Sequence, residues 1–261
     1  MKVKRYDPQP QQGYNLSVCA AAFNEAQNLP ELVGEIAQSV GKLPGLWEIV
    51  IGNDASEDDS LEVLRRLREQ TPQLRFVTLR KRSGQSAALE AALRHSRGRY
   101  VATLDADLQN DPADIPRMLE LIRKNECDFV NGWRKNRNDP WIRLVSTRIA
   151  NGVRNWLTSE NIHDSACGLK IFKRECLANV KLFTGAHRFL PTLVKLEGYQ
   201  VKEIPVNHRA RTAGVAKYGI SNRVFKALRD AFAVRWMQHR YMRYELDESL
   251  CSNGVDDGPT S

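Results

Sequence analysis

Short apolar runs alternate with helix-like segments through the first half of the chain, and this alternation limits the possible folds more than any other feature. The pattern predicts buried strands at LSVCAAAF (16–23), WEIVIG (47–52), LRFVTL (74–79), RYVATL (99–104) and CDFV (127–130). It predicts helices at 28–40, 58–70 and 85–96, and a further helix whose first turn holds Pro112. Strands separated by helices of this length form right-handed βαβ units. We therefore predict an α/β fold with a mostly parallel, twisted sheet flanked by helices.

The domain organisation follows from length and composition. The 261 residues suit one large domain, and no Gly/Ser/Pro-rich linker divides them. We predict an N-terminal extension over 1–14, a single domain over 15–243 and an acidic disordered tail over 244–261. Within the domain, 222–243 carries Phe225, Leu228, Phe232 and Trp236 at helical spacing among basic residues. This pattern predicts an amphipathic helix that packs on the core or docks at a membrane surface.

Charge and hydropathy limit the cellular setting. The net charge of +8 favours polyanionic partners, whether phosphorylated small molecules, anionic lipid or nucleic acid. The five cysteines have no CxxC spacing, which argues against a zinc motif, and the polar first residues favour the reducing cytosol. No stretch approaches the roughly 18 apolar residues of a membrane span. We expect a cytoplasmic protein that is peripheral on the inner face of the cell membrane.

Two carboxylates follow the fourth predicted strand directly, as Asp105-Ala106-Asp107. Alternate residues of an extended segment face the same way, so the two acids repel unless a cation joins them. Mg²⁺ and Mn²⁺ prefer oxygen ligands and bind through one or two carboxylates plus substrate phosphates. The segment predicts a metal–diphosphate site, although two solvated acids before a helix would give the same pattern.

Three other polar clusters follow predicted strands. They are Asn24-Glu25, Asn53-Asp54-Ala55-Ser56 and Arg82-Ser83-Gly84-Gln85. Each is also compatible with a turn or a helix N-cap. In parallel sheets, however, ligands bind at the carboxyl ends of strands, and a helix N-terminus after a glycine favours anions. Four such clusters at successive strand ends predict one binding cleft.

The ordered set FNE (23–25), NDAS (53–56), RSGQ (82–85) and DADLQ (105–109) resembles family 2 glycosyltransferases of GT-A fold. The resemblance is closest to the dolichol-phosphate mannosyltransferase-like branch, which transfers a sugar from a nucleotide-diphosphate donor to a polyprenyl phosphate with inversion. It extends over 15–240 through NGWRKNR (131–137), DSACGLK (164–170), HRFLP (187–191) and HRARTAGVAKYG (208–219).

The resemblance implies a Rossmann-like nucleotide-binding half, Mg²⁺ or Mn²⁺ as cofactor, and a set of site residues. It places Asp105, Asp107 and Gln109 at the metal, with Asp107 and Asp164 as catalytic carboxylates. It implies donor-nucleotide contacts for Ala21, Phe23, Asn24, Glu25, Asp54, Gly84, Gln85, Asp105 and Ala106. The family usually has proline at position 21 and two aspartates at 53–54, whereas this chain has Ala21 and Asn53-Asp54. UDP- and GDP-linked donors therefore both stay open.

Basic residues are the candidates for binding the acceptor phosphate. Segment 133–154 holds six arginines and lysines against one acid, and Arg binds phosphate in a fork geometry. The resemblance implies acceptor-phosphate contacts for Arg134, Arg137 and Arg148. The Gly-containing stretch RTAGVAKYG, which holds Arg211 and Lys217, predicts either a lid that closes over the diphosphate or a basic surface loop. The expected product is a polyprenyl-phosphate sugar for envelope glycan or lipid modification. The expected associations are an anionic membrane surface or a membrane-protein partner, together with a homo-oligomer, and no nucleic acid is expected.

Three alternatives use the same residues differently. A family 2 enzyme with a hydroxyl acceptor would need a general base, for which Asp164 is the candidate. A sugar-nucleotide pyrophosphorylase would want a Gly-rich loop after the first strand, where AAAFNEAQN has no glycine. A basic nucleic-acid-binding protein explains the charge but not the carboxylates at the strand ends.

Overall fold

The computed structural model describes residues 6–135, 152, 155–156, 161–210 and 220–242, with side chains of the last segment from 228 onward. The strands are β1 (Tyr14–Ala22), β2 (Leu46–Asn53), β3 (Leu74–Thr78), β4 (Tyr100–Asp105), β5 (Phe129–Trp133), β6 (Lys170–Lys173) and β7 (Val201–Pro205). The α-helices are α1 (Leu29–Val40), α2 (Ser60–Gln70), α3 (Gln85–His95), α4 (Ile115–Arg123), α5 (Leu190–Leu196) and α6 (Ile220–Arg240). Short 3₁₀ turns cover Pro112–Asp114, Arg174–Leu177 and Ala186–Arg188.

One seven-stranded sheet organises these elements in the order β3-β2-β1-β4-β6-β5-β7. Only β6 runs against its neighbours, pairing antiparallel with both β4 and β5. The predicted α/β class with a mostly parallel sheet is therefore confirmed. Strand β1 lies between β2 and β4, and its register places Ala21 beside Asp105 and Ala22 beside Asn53. The carboxyl ends of β1, β2 and β4 consequently meet at one edge.

Apolar side chains cover both faces of the sheet. On one face, Leu32 and Ile36 of α1 are fully buried against residues such as Val18 and Ile51. On the other face, α3 and α5 pack over Val50, Val101 and Phe172, among others. Burying one such side chain stabilises the fold by roughly 1.5–3 kcal/mol.

Helix α3 approaches the sheet unusually closely at Gly52. A Cβ atom at that position would lie 2.0 Å from the carbonyl oxygen of Ala88, so only glycine fits there. This contact fixes the height of α3 above β2. It thereby brings the first turn of α3, which begins at Gln85, to the edge where the strands end.

The predicted strand and helix bounds lie within two residues of those in the structure, except at the ends of β5 and α6. Strand β5 starts at Phe129 rather than at 127, and just before it the carboxylate of Asp128 accepts from the Gln200 amide and the Lys173 ammonium. Pro112 lies in a first turn as predicted, but that turn is a 3₁₀ turn whose N-cap Asp111 accepts from the Ala113 amide at 3.0 Å. Helix α4 follows it from Ile115.

The predicted amphipathic helix is present as Ile220–Arg240, and its apolar residues divide between two surroundings. Ala231 and Val234 are buried in a cluster with Phe189 and Leu193, and Leu228 packs against that cluster. In contrast, Phe232 and Trp236 are 59% and 64% exposed. The helix therefore packs on the core along one side and leaves an aromatic pair in solvent on another. The side chain of Phe225 lies outside the described residues.

Candidate active site

Asp54 secures the loop that leads into α3. Its carboxylate accepts hydrogen bonds from the backbone amides of Ser83 and Gly84, at 2.7 and 2.8 Å, and its residue is 3% exposed. Gly84 has a φ of 94°, a backbone conformation that favours glycine. The two loop amides, which could otherwise bind a phosphate, thus bind the Asp54 carboxylate in this structure. The predicted nucleoside contact of Asp54 therefore concerns a carboxylate already engaged by two amides.

Asn24 and Glu25 tie the end of β1 to the loop after β2. Asn24 has a φ of 53°, and its backbone amide donates to the Ser56 hydroxyl at 3.0 Å. Its side-chain oxygen accepts from the Glu57 amide at 2.8 Å. The Glu25 carboxylate accepts from the Asn28 side chain at 2.6 Å. These bonds form one wall of the cleft and hold both loops in a single arrangement.

The same wall carries an aromatic platform at Phe23. The Arg82 guanidinium lies over the Phe23 ring, 4.2 Å from its centroid. Such a stacked cation is stabilised by the ring quadrupole and keeps a positive charge at the cleft edge. Two alanines that were predicted to contact the donor nucleotide lie deeper. The Ala106 side chain is buried in the core on one face of the sheet, and Ala21 is partly buried on the other face.

Asp105 is the last residue of β4 and lies at the centre of the cleft. Its carboxylate accepts from the Gln85 side-chain amide at 2.8 Å, which links it to the first turn of α3. Gly168 packs so closely against it that a Cβ atom there would lie 2.4 Å from Asp105 Oδ2. Burial and the negative charge of Asp107 raise the pKa of Asp105 to about 6. Each of these two acids disfavours the ionisation of the other, and a bound cation would offset the repulsion between the two carboxylates.

The segment after Asp105 folds back over the strand end. Leu108 has a φ of 61°, and the Gln109 amide donates to Asp107 Oδ1 at 3.3 Å. The described residues contain no group of three or more His, Cys, Asp or Glu side chains arranged around a common metal position. Two neighbouring carboxylates such as Asp105 and Asp107 suit a cation that takes its other ligands from substrate phosphates, as Mg²⁺ commonly does.

Asp164 and Arg134 are joined in a two-bond ion pair beside this centre. Arg134 Nε and Nη2 donate to the two carboxylate oxygens at 2.7 and 2.9 Å, and the Arg134 backbone amide adds a third contact at 3.3 Å. Both side chains are nearly buried, at 12% and 4% exposed. The hydrogen bonds and the negative charge of Asp164 raise the pKa of Arg134 against the opposing effect of burial. The predicted acceptor ligand and the predicted catalytic acid thus bind each other in this structure.

Glu203 on β7 fixes the segment that carries Asp164, a role that the sequence did not reveal. Its Oε1 accepts from the Asn131 side chain at 3.0 Å and from the Asp164 amide at 3.3 Å. Its Oε2 accepts from the His163 amide at 2.8 Å. The His163 ring also stacks on Trp133, with centroids 4.4 Å apart. A lone glutamate in a half-buried strand gives no sequence signal for this role.

Two cations near Asp105 were also missed by sequence reasoning. Lys170 is the first residue of β6 and is 2% exposed, and its ammonium donates a hydrogen bond to the Cys167 carbonyl. Burial lowers the pKa of Lys170. Arg188 ends the 3₁₀ turn Ala186–Arg188, and its charge lowers the pKa of Asp105, as do those of Lys170 and Arg134. The remaining predicted phosphate ligands, Arg137, Arg148, Arg211 and Lys217, lie outside the described residues.

Comparison with known proteins identifies the family. The sequence profile described as Glycosyl transferase family 2 matches residues 17–180. The dodecaprenyl-phosphate galacturonate synthase of Rhizobium johnstonii is 38% identical over 240 residues, which cover 90% of this chain and 70% of that protein. The undecaprenyl-phosphate 4-deoxy-4-formamido-L-arabinose transferase of Sodalis glossinidius is 32% identical over 206 residues, which cover 78% of this chain and only 63% of that protein.

Solved structures confirm the GT-A fold. The glucosyl-3-phosphoglycerate synthase of Mycobacterium tuberculosis, in complex with Mn²⁺, UDP and glucosyl-3-phosphoglycerate, superposes with a TM-score of 0.65 at 16% identity, covering 88% of this chain and 82% of that one. A mannosyltransferase of Pyrobaculum calidifontis, in complex with GDP-mannose and Mn²⁺, superposes with a TM-score of 0.58 at 19% identity, covering 91% of this chain and 73% of that one.

Proposed function

Because the chain belongs to glycosyl transferase family 2, we propose that it transfers a sugar from a UDP- or GDP-linked donor to a polyprenyl phosphate, with inversion and with a divalent cation. The observation that carries the proposal is the pair Asp105 and Asp107 at the carboxyl end of β4, where Gln85 and Gly168 orient the first carboxylate. The polyprenyl-phosphate acceptor is supported by the name of the Rhizobium relative. Family membership and the acid pair set aside the nucleic-acid-binding alternative.

The site residues account for the departure of the nucleotide. A bound Mg²⁺ or Mn²⁺ would offset the charge that develops on the leaving diphosphate. Asp105 and Asp107 would hold that cation, with Gln109 nearby, while Gln85 keeps the Asp105 carboxylate in place. Bonds between the β1 and β2 loops, including that of Asn24 to Ser56, keep the nucleotide wall preorganised.

The acceptor side needs no strong base if the acceptor is a phosphate monoester. Its second pKa is about 6, so most of it is a dianion at neutral pH and can attack the anomeric carbon directly. Attack opposite the leaving diphosphate gives inversion. Asp164, which accepts two guanidinium bonds from Arg134, then acts by positioning Arg134 and the transferred sugar rather than by removing a proton.

Label transfer tests the proposed reaction. The protein is incubated with polyprenyl phosphate, Mg²⁺ or Mn²⁺, and a panel of labelled UDP- and GDP-sugars. Label that enters the organic phase with one donor, and does not do so with chelator, supports the proposal and identifies the sugar. Metal-dependent nucleotide binding without transfer to any polyprenyl phosphate would instead support a family member with a hydroxyl acceptor.

Proton competition gives a prediction for the cation. Because the pKa of Asp105 is raised to about 6, this carboxylate is ionised above that pH and increasingly protonated below it. Only the ionised form binds metal, so Mn²⁺ affinity is expected to fall about five- to sixfold between pH 6 and pH 5 and to change little between pH 7 and pH 8. The loss of the free-Mn²⁺ electron paramagnetic resonance signal on titration, without nucleotide, measures this. Asp105→Asn should remove the step, and an unchanged affinity from pH 7 to pH 5 would contradict the assignment.

The exposed side of α6 supports association with the membrane that contains the acceptor. Arg229, Phe232, Trp236 and Arg240 recur at three- and four-residue intervals and therefore share one side of the helix. All four are exposed. Aromatic residues bracketed by arginines suit an anionic headgroup region. Among the described residues, no helix has the length and hydropathy of a membrane span.

The corresponding prediction concerns liposomes. Phe232→Ser combined with Trp236→Ser is expected to lower binding to vesicles containing anionic phospholipid by at least about tenfold, because each aromatic contributes about 1.5 kcal/mol or more when buried. Co-flotation measures the bound fraction. Leu46→Ser is the matched control, since Leu46 is a comparably exposed apolar residue (57%) at the start of β2. Equal flotation of the double variant and the control would reject α6 as the docking element.

A further inference from the structure

Three cations lie near Asp105, and the charged groups of two of them have hydrogen-bond partners. Arg134 is bound to both oxygens of Asp164, and the Lys170 ammonium donates to the Cys167 carbonyl. Within the part of the chain that the structure describes, the guanidinium of Arg188 takes part in no hydrogen bond or ion pair. It is nevertheless only partly exposed. A partly buried guanidinium without hydrogen-bond partners is costly unless a ligand supplies them, so this residue is positioned for an anion.

The segment that carries Arg188 is fixed to the first turn of α3. Gly185 has a φ of 96°, and its amide donates to the Ser86 hydroxyl at 2.9 Å. The same hydroxyl lies 2.7 Å from His187 Nδ1. Burial is the main cause that lowers the pKa of His187 to about 3, so the imidazole is neutral and shares one hydrogen bond with the Ser86 hydroxyl through Nδ1. Arg188 therefore begins from a defined backbone position rather than from a free loop.

This connection also places Arg188 beside the acid pair. Ser86 is adjacent in sequence to Gln85, whose side chain is hydrogen-bonded to Asp105 at 2.8 Å. The 3₁₀ turn Ala186–Arg188 is thus attached through His187 to Ser86. That residue is next to Gln85, which orients the Asp105 carboxylate. The segment contacts the first turn of α3, which is the side of the cleft on which the predicted donor residues Gly84 and Gln85 lie.

Charge balance agrees with a further anion at this position. The three carboxylates Asp105, Asp107 and Asp164 are balanced by Arg134, Lys170 and Arg188, so the cluster is close to neutral before anything binds. A divalent cation would leave it with two positive charges, which a diphosphate would neutralise. Among the three cations, Arg188 offers the free planar fork that matches a pair of phosphoryl or carboxylate oxygens.

We propose that Arg188 binds an anionic oxygen pair of the nucleotide-sugar donor, either on the diphosphate or on a carboxylate of the transferred sugar. Ser86 and His187 act as positioning residues for it. This inference rests on the proposed function, because it requires a nucleotide-sugar donor in the cleft. Arg188 belongs to the segment HRFLP, which lies outside the four motifs at the strand ends. The inference therefore adds one residue to the set that binds the nucleotide-sugar donor.

The test compares nucleotide with nucleoside. Titration calorimetry with Mn²⁺ measures UDP, uridine, GDP and guanosine binding to the wild type, Arg188→Gln and Arg188→Lys. If the contact is with the diphosphate, Arg188→Gln lowers the affinity for the nucleoside diphosphate by at least about tenfold and leaves the affinity for the nucleoside unchanged. Arg188→Lys keeps the charge without the fork, so it should fall between the two. Arg66→Gln, which changes an exposed arginine on α2, is the matched control and should behave as the wild type.

A second arm distinguishes the sugar carboxylate. UDP-glucuronate and UDP-glucose differ only in that group, so a loss confined to UDP-glucuronate assigns Arg188 to the carboxylate. Equal loss for nucleoside and nucleoside diphosphate would show a merely structural role and overturn the inference. Unchanged affinities, or a change only in the KM for polyprenyl phosphate, would also overturn it. A wild type that binds no nucleoside diphosphate would reject the proposed function itself, and the inference with it.

Discussion

Asp105→Asn is expected to reduce sugar transfer by about a thousandfold or more, whereas Asp164→Asn is expected to lose less activity per folded molecule. Asparagine preserves the size of Asp105 but removes the negative charge that would hold the cation on the leaving diphosphate. Loss of that stabilisation at about 4 kcal/mol corresponds to the thousandfold effect. Asp164→Asn leaves the diphosphate side unchanged, and a phosphate nucleophile does not need a proton removed.

The comparison requires a correction for folding. Asp164→Asn leaves the nearly buried guanidinium of Arg134 without its charged partner, and breaking such a pair costs about 3–5 kcal/mol of stability. Initial rates should therefore be divided by the folded fraction, measured by thermal unfolding. Asp128→Asn is the control, since Asp128 pairs with Lys173 away from the cleft. If Asp164→Asn proves the more damaged of the two per folded molecule, the prediction is wrong and a general-base role for Asp164 is favoured.

The parts of the site that sequence predicted are those set by local pattern. The alternation of apolar runs and helical segments requires parallel strands, and their carboxyl ends place Asn24, Asp54, Gln85 and Asp105 at one edge whatever the details of packing. The DADLQ spacing likewise gives two acids after a strand. These features depend on neighbours within a few residues, so one sequence is sufficient to predict them.

Other parts depend on contacts between distant segments. Arg134 meets Asp164 across 30 positions, and Glu203 reaches the same segment from β7. The antiparallel strand β6 brings Lys170 beside Thr103 on β4, which no periodicity indicates. Asp54 reads in sequence as a ligand residue or a helix cap, and only the structure shows that it binds the amides of the loop before α3.

A methyl group at Gly168 tests the geometry of the acid pair directly. Gly168→Ala would place Cβ 2.4 Å from Asp105 Oδ2 and 2.7 Å from Asn110 Oδ1. Gly168 is not among the positive-φ residues, so alanine is compatible with the local backbone and the effect is steric. The segment has little freedom to retreat, because the Gly168 carbonyl accepts from the Thr103 hydroxyl at 2.9 Å. The Asp105 carboxylate must therefore move, and we expect kcat/KM for transfer to fall by at least about a hundredfold.

The control and the double variant separate this effect from general destabilisation. Gly34→Ala, in α1, adds the same methyl group where no atom lies within 4 Å, and it should leave transfer unchanged. If Gly168 acts only by shaping Asp105, then Gly168→Ala combined with Asp105→Asn should be no slower than Asp105→Asn alone, since coupled sites are not additive. Full activity of Gly168→Ala, or a further loss in the double variant equal to its separate effect, would mean that the position of the Asp105 carboxylate does not limit the reaction. Non-additivity would instead establish that one glycine without a side chain sets the position of the proposed metal ligand.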